Sequence, residues 1–248
     1  MISNITESFF NELKTGDYET GFQIHDDQKK LESFLHQANK LDFIGGHYAA
    51  MPYVYNEDIK GFSIIREPIE RMISCFIYFK GDDADYIGNH TNEYPDNFIE
   101  SIRYQGFRFE KDSMGFNARP NMQCANLVNT ILWNDKKAYI KNADFSFSEI
   151  LKIIKKQKMT LSTFENRNYL IKDLTFHLNA VRNTGISIEA HSKIRPSNNL
   201  HNVSIDLLSN EIIEEIKASN ALDYQLYNYI KDHEIKTGRC LTPDDIDI

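Results

Sequence analysis

The sequence predicts an α/β fold: an open, mostly parallel sheet flanked by helices on both faces. Three observations carry that expectation. Short apolar runs recur at Leu41 to Ile44, Phe62 to Ile65 and Met159 to Phe164. The first is preceded, and the other two are followed, by a stretch with helical spacing of its apolar residues, and the alternation of the two patterns favours parallel pairing. The run Phe62-Ser63-Ile64-Ile65 ends abruptly on Arg66, turns at Glu67-Pro68 and opens a helix. Charged residues at the carboxyl end of a buried strand, next to a helix N-terminus, are where such sheets build anion sites.

The 248 residues and 41% hydrophobic content suit one domain over 1–248. A net charge of −8 speaks against a general nucleic-acid partner, which needs an extended basic face. Three widely spaced cysteines, Cys75, Cys124 and Cys240, suggest neither a metal site nor a disulfide framework, so no metal is expected. Without a long apolar run or a basic-then-apolar leader, neither a membrane span nor a signal peptide is expected. A cytoplasmic location follows as the expectation. Oligomeric state is not readable from the pattern.

In chain order, Asn4 to Leu13 reads as a helix, with Ser3, Asn4 and Thr6 as candidate caps and Phe9, Phe10 and Leu13 as its apolar set. Lys14 to Asp17 ends it, and Tyr18 to Ile24 reads as a short extended piece. A helix over 27–39 with Leu31, Phe34 and Leu35 leads to the strand Leu41 to Ile44, which Gly45-Gly46-His47 closes. The glycine pair permits tight backbone geometry and sets His47 at the strand's end. Pro68 to Phe79 is the helix after the central strand, because proline suits a first turn that needs no N–H partner.

Gly81 to Tyr94 is polar and turn-rich, hence a loop. Helices are expected over 96–104 and 121–132, separated by a loop at Gln105 to Pro120. Ser146 to Gln157 carries a weak amphipathic pattern with several lysines. Met159 to Phe164 is a β-type run, and a helix follows over 168–181. Gly185 to Asn202 reads as a loop, 209–219 and 221–235 as helices, and the residues from Gly238 onward as an acidic tail.

Arg66 and Ser74 lie eight positions apart with Arg71 between them, and converge on one phosphate if the strand-to-helix turn folds back. Surface charge beside a turn is the plain alternative for both arginines. Gly46-His47 closing one strand, with Arg66-Glu67-Pro68-Ile69-Glu70-Arg71-Met72-Ile73-Ser74 closing the next, resembles the carbohydrate sulfotransferases of the membrane type, the group containing heparan sulfate 2-O-sulfotransferase. The family's Arg-(Asp/Asn/Glu)-Pro, Arg, Ser pattern is met at every position. Asn121-Met122-Gln123 and Ala221-Leu222-Asp223-Tyr224-Gln225-Leu226-Tyr227 resemble further segments of the group.

The resemblance implies a P-loop-NTPase-like fold and a donor, 3′-phosphoadenosine 5′-phosphosulfate (PAPS), whose 3′-phosphate Arg66 and Ser74 hold. Guanidinium forks and hydroxyls suit phosphate oxygens. Arg71 is either a third contact or a brace against an acidic neighbour. His47 is implied as the general base, since imidazole titrates near neutrality. The acceptor is implied to be a hydroxyl, on a carbohydrate. His177, His191 and His201 have no comparable context, and Glu165 reads as structural.

The family's opening strand and Lys-Thr-Gly-Gly-Thr phosphate loop have no counterpart here. Lys14-Thr15-Gly16 follows a helix rather than a strand and is a coincidence of letters. The expected sheet therefore lacks its first strand. A second expectation stands beside catalysis: a degenerate, non-catalytic relative that binds the nucleotide or a glycan. A nucleotide kinase of the same architecture is disfavoured by the missing Walker motif and magnesium carboxylate. Arg103, Arg108, Lys111 and Arg119 could meet an acidic glycan, although a solvated loop face accounts for them more simply.

Overall fold

The computed structural model describes residues 15–17, 43–45, 60–80, 96–107, 120–128, 145–182, 185 and 203–248. Their strands form two parallel pairs. Strand β1 (Thr15–Asp17) pairs with β2 (Phe43–Gly45), Thr15 opposite Phe43. Strand β3 (Gly61–Ile65) pairs with β4 (Met159–Thr163), Gly61 opposite Met159 and Ile65 opposite Thr163. Seven α-helices accompany them among the described residues: α1 (Pro68–Lys80), α2 (Phe98–Phe107), α3 (Met122–Val128), α4 (Phe147–Lys156), α5 (Arg167–Arg182), α6 (Asn210–Ser219) and α7 (Ala221–Thr237).

The mixed α/β class and the parallel pairing agree with expectation, but no ladder joins the two pairs among the described residues. Thr15 to Asp17 form a strand where a helix-ending turn was expected. Glycine and aspartate are poor strand residues, and here the ladder to Phe43–Gly45 overrides local propensity. Thr15 and Gly16 accordingly stand in a strand, not in a strand-to-helix phosphate loop. The segments 1–14, 18–42, 81–94, 108–119 and 186–202 lie outside the described residues. So do His47, His191 and His201.

Two apolar clusters hold the frame. Ile69, Met72 and Ile73 of α1 pack with Ile102 of α2 and Ile212 and Ile216 of α6. Around β4, Leu161 meets Leu226 and Ile230 of α7 and Ile150 and Ile154 of α4. Helix α4 is cleaner than its sequence pattern suggests. Ile150, Leu151 and Ile154 are buried while Lys152, Lys155 and Lys156 are exposed, and Ser146 with Glu149 forms a reciprocal cap at its start.

Two boundaries move. Gln105, expected in a loop, lies within α2, fully buried, and its Nε2 donates to the Met72 carbonyl at 3.1 Å. The residues after Gly238 are not a loose acidic tail. Gly238 ends α7 in the left-handed region at φ 67°, and the chain then returns to β4. Leu161 and Leu241 exchange backbone hydrogen bonds of 2.8 and 2.9 Å as an antiparallel bridge. Leu241 and Ile246 are fully buried. Burial would raise the Asp245 carboxyl, but the Arg239 guanidinium pairs with it and Thr242 donates to it, and together they hold it well below the usual range, so acidic composition does not keep this segment in solvent.

β4 is thus flanked by β3 on one side and by the Leu241 bridge on the other, and is buried along its whole length. Leu241→Ala should cost about 2–5 kcal/mol, the range for emptying a closed leucine site. Chemical denaturation would read this as a lowered midpoint at unchanged slope.

Candidate functional site

The carboxyl ends of β3 and β4 are adjacent, as their register requires, and the backbone continues the pairing one step further: Phe164 N–H donates to the Ile65 carbonyl at 2.8 Å. Next to Ile65 stands Arg66. Its main chain is fixed by a side chain 57 positions away. Gln123 Oε1 accepts the Arg66 N–H at 2.8 Å, and Gln123 Nε2 donates to the Arg66 carbonyl at 2.7 Å. One amide therefore occupies both backbone groups of Arg66 as a neighbouring strand would. The guanidinium is held more loosely: it lies 4.7 Å from the Phe164 ring centroid and 3.9 Å from Glu70, with the side chain 31% exposed.

Gln123 is itself anchored by a clasp between α3 and α7. The Asp223 carboxylate of α7 accepts from the N–H groups of Gln123 (3.0 Å) and Cys124 (2.8 Å) at the start of α3. In return the side-chain Oδ1 of Asn121 accepts from Leu222 N–H (3.1 Å) and Asp223 N–H (3.2 Å) at the start of α7. Each helix thus supplies the side chain that caps the other. Burial pushes the Asp223 carboxyl up. The two N–H bonds and the Arg71 charge pull against that, and burial wins. Cys124, fully buried beside it, is pushed well up by the same burial and the neighbouring carboxylate, which makes it inert as a nucleophile.

Two further residues of α7 reach the turns after both strands. Tyr224 Oη donates to Glu67 Oε1 at 2.5 Å, while Glu67 Oε2 accepts the Glu70 N–H at 2.7 Å and so caps α1. Burial and the Glu67 carboxylate raise the Tyr224 phenol, which keeps it a donor. Tyr227 Oη donates to Glu165 at 3.3 Å, and its phenol is pushed up to about 12 by burial first and then by Glu165. Beside them lies Arg167, at the first position of α5. Its Nη1 donates to the Phe164 carbonyl at 2.8 Å, and its guanidinium lies 4.6 Å from the Phe164 ring centroid.

Of the residues singled out in the sequence, Arg66 stands at the carboxyl end of β3. Ser74 is half-buried on α1, six residues and so about 9 Å along the axis from Pro68, on the face it shares with Glu70. The Arg71 charge pulls the Asp223 carboxyl down. Glu165 serves as acceptor for Tyr227. His177 lies on α5 against the Phe62 ring at 5.7 Å, away from the strand ends. His47 lies outside the described residues, two positions past the end of β2. Arg103 is an exposed residue of α2. Among the described residues no group of three or more histidine, cysteine, aspartate or glutamate side chains could hold a metal.

The arrangement is a strand–turn–helix unit at the carboxyl edge of a parallel strand pair, the part of an α/β sheet where ligands generally bind. The chain belongs to the sulfotransferase family, whose model matches residues 6–230, nearly its full length. Its chemistry is accordingly sulfuryl transfer from a sulfate donor to a hydroxyl acceptor. No individual curated protein and no solved structure matches the chain significantly. No described helix is long and apolar enough to cross a membrane.

Two outcomes test this geometry. Gln123→Glu keeps the acceptor for Arg66 N–H but loses the donor to the Arg66 carbonyl; it should cost about 1–3 kcal/mol of unfolding free energy, measured in urea. Asp223 has a raised folded pKa, so its contribution to stability is fully present below about pH 4 and declines as pH rises through the folded value. Asp223→Asn should remove that declining component from a stability-versus-pH series, while lowering stability overall because one amide oxygen replaces two carboxylate oxygens.

Proposed function

We propose that the carboxyl ends of β3 and β4 hold 3′-phosphoadenosine 5′-phosphosulfate, and that the chain moves its sulfuryl group to a carbohydrate hydroxyl. The observation that carries this reading is Arg66. Its backbone is clamped by Gln123, while among the described residues its guanidinium is engaged only by the Phe164 ring and an exposed carboxylate at 3.9 Å. An exposed pair of that kind contributes little, so the fork is available to a phosphate. In this reading Arg66 and Ser74 bind the 3′-phosphate, and Arg71 supports the helix that carries Ser74.

The acceptor oxygen attacks sulfur in line. The bond between sulfur and the bridging phosphate oxygen breaks, adenosine 3′,5′-bisphosphate leaves, and the acceptor proton passes to His47. Imidazole is suited to that proton because it titrates near neutral pH. A carbohydrate acceptor rests on the match of the Arg66-to-Ser74 pattern to sugar-modifying members of the family. A reducing, cytoplasmic setting accords with Cys75, Cys124 and Cys240, none of which is in a disulfide.

Calorimetric titration with adenosine 3′,5′-bisphosphate tests the nucleotide half. Binding should weaken roughly tenfold to a hundredfold in Arg66→Ala, the value of one or two charge-assisted hydrogen bonds. Equal affinity in variant and wild type would overturn the assignment. Transfer of labelled sulfate to a panel of desulfated glycans tests the chemical half. His47→Ala should abolish transfer while nucleotide binding survives; binding without transfer in the wild-type chain would identify a nucleotide-binding relative instead.

A further inference from the structure

Resting on that reading, we infer that Arg167 is the second cation of the 3′-phosphate site, paired with Arg66 across Phe164 to select a phosphate monoester. The guanidinium carbons of Arg66 and Arg167 lie 4.7 and 4.6 Å from the centroid of one and the same ring. The two charges are therefore no farther apart than the sum of those distances. Both sit where β3 and β4 end, Arg66 directly after Ile65 and Arg167 four residues past Thr163.

Proximity of two cations is unfavourable unless something holds them and something neutralises them. The holding is visible. Gln123 fixes the Arg66 backbone, the Phe164 carbonyl accepts from Arg167 Nη1 at 2.8 Å, and the ring face attracts both guanidiniums. The neutralising is incomplete. Arg66 has one carboxylate near it, Glu70, at 3.9 Å and 44% exposed, and no acidic side chain lies within ion-pair reach of Arg167 among the described residues.

The other two carboxylates at these turns are engaged elsewhere. Glu67 caps α1 and accepts from Tyr224, and Glu165 accepts from Tyr227. What remains is two planar forks on one aromatic ring, neither held in a close ion pair among the described residues. A phosphate monoester suits them, because it carries close to two negative charges at neutral pH and offers three oxygens. A sulfate ester or a phosphate diester carries only one. Of the groups on the donor, the 3′-phosphate is the monoester.

Sequence reasoning passes over Arg167 because it stands beyond the Arg66-to-Ser74 pattern, in the turn after a different strand. The test is paired titration of the full chain with adenosine 3′,5′-bisphosphate and with adenosine 5′-monophosphate, which lacks the 3′ group. Arg167→Ala should weaken the bisphosphate roughly tenfold, the loss of one charge-assisted contact, and leave the monophosphate unchanged. Arg167→Lys, which keeps the charge but not the fork, should recover part of the loss.

Equal weakening of both ligands, or of neither, overturns the inference; so does a change confined to the KM of an acidic acceptor. A fall in melting temperature with both affinities intact would mark Arg167 as a brace for the turn only, and overturn it too. Failure of the wild type to bind the bisphosphate would instead overturn the nucleotide reading on which the inference rests. The two failures are therefore distinguishable in one experiment.

Discussion

The site depends on the reciprocal capping of α3 and α7. A helix N-terminus leaves four N–H groups without internal partners and carries partial positive charge. Two such ends brought together in a dry interior would repel each other and leave donors unsatisfied. The Asp223 carboxyl answers the second problem, since it is buried and accepts two of those donors. Asn121 and Asn220 complete the exchange: Asn220 Oδ1 accepts the Asn121 N–H at 2.9 Å. Asn121 adopts φ 53°, a backbone region that asparagine enters more readily than most residues. Helix α3 has only seven residues and could not hold its direction alone. Its orientation is borrowed from α7.

From that clasp the constraint travels outward through α7. Asp223 and Tyr224 act on the turn after β3, through Gln123 and Glu67; Tyr227 and Glu234 act on the turn after β4. Glu234 is the deepest of these anchors. Its two oxygens accept from Ser162 Oγ (2.5 Å), Thr163 N–H (2.9 Å), Thr163 Oγ1 (2.5 Å) and Asn166 Nδ2 (3.0 Å), a buried carboxylate with its acceptor capacity filled. A buried charge without such partners would be costly, and with them it fixes the end of β4 relative to the helix. One helix therefore sets the relative positions of the two strand ends at which Arg66 and Arg167 stand.

The strand-to-helix unit around Arg66 was legible in the sequence because its determinants are local: an apolar run, a charged stop, a proline at the first helical position. The same holds for most helices, whose spacing marks one buried face. What could not be read was every residue whose role depends on a partner far along the chain. Gln123 and Asp223 lay inside segments recognised by resemblance, yet an amide 57 residues from Arg66 carries no local sign of its function. The heptad-like recurrence of Asp223, Tyr227 and Glu234 on the buried face of α7 was the available signal. Polar residues at core positions of a helix imply partners, even when the partners are unnamed. The tail after Gly238 misled because its aspartates suggest solvent, whereas Leu241 and Ile246 are buried in the core cluster around β4.

The division of labour at Arg66 explains how a rigid support and an available cation coexist in one residue. Backbone hydrogen bonds from Gln123 are short and paired, so the Cα position is set before any ligand arrives. The head of the side chain rests on an aromatic face and a distant carboxylate, contacts that are weak individually and easily traded for a phosphate. An anion arriving there displaces little and reorganises little, which is the condition under which charge-assisted contacts retain most of their value. Were the guanidinium locked instead in a buried, bidentate ion pair, its release would cost more than one phosphate contact returns. Among the described residues no such lock holds Arg66, and that contrast with so firm a backbone is what supports the binding role proposed for it.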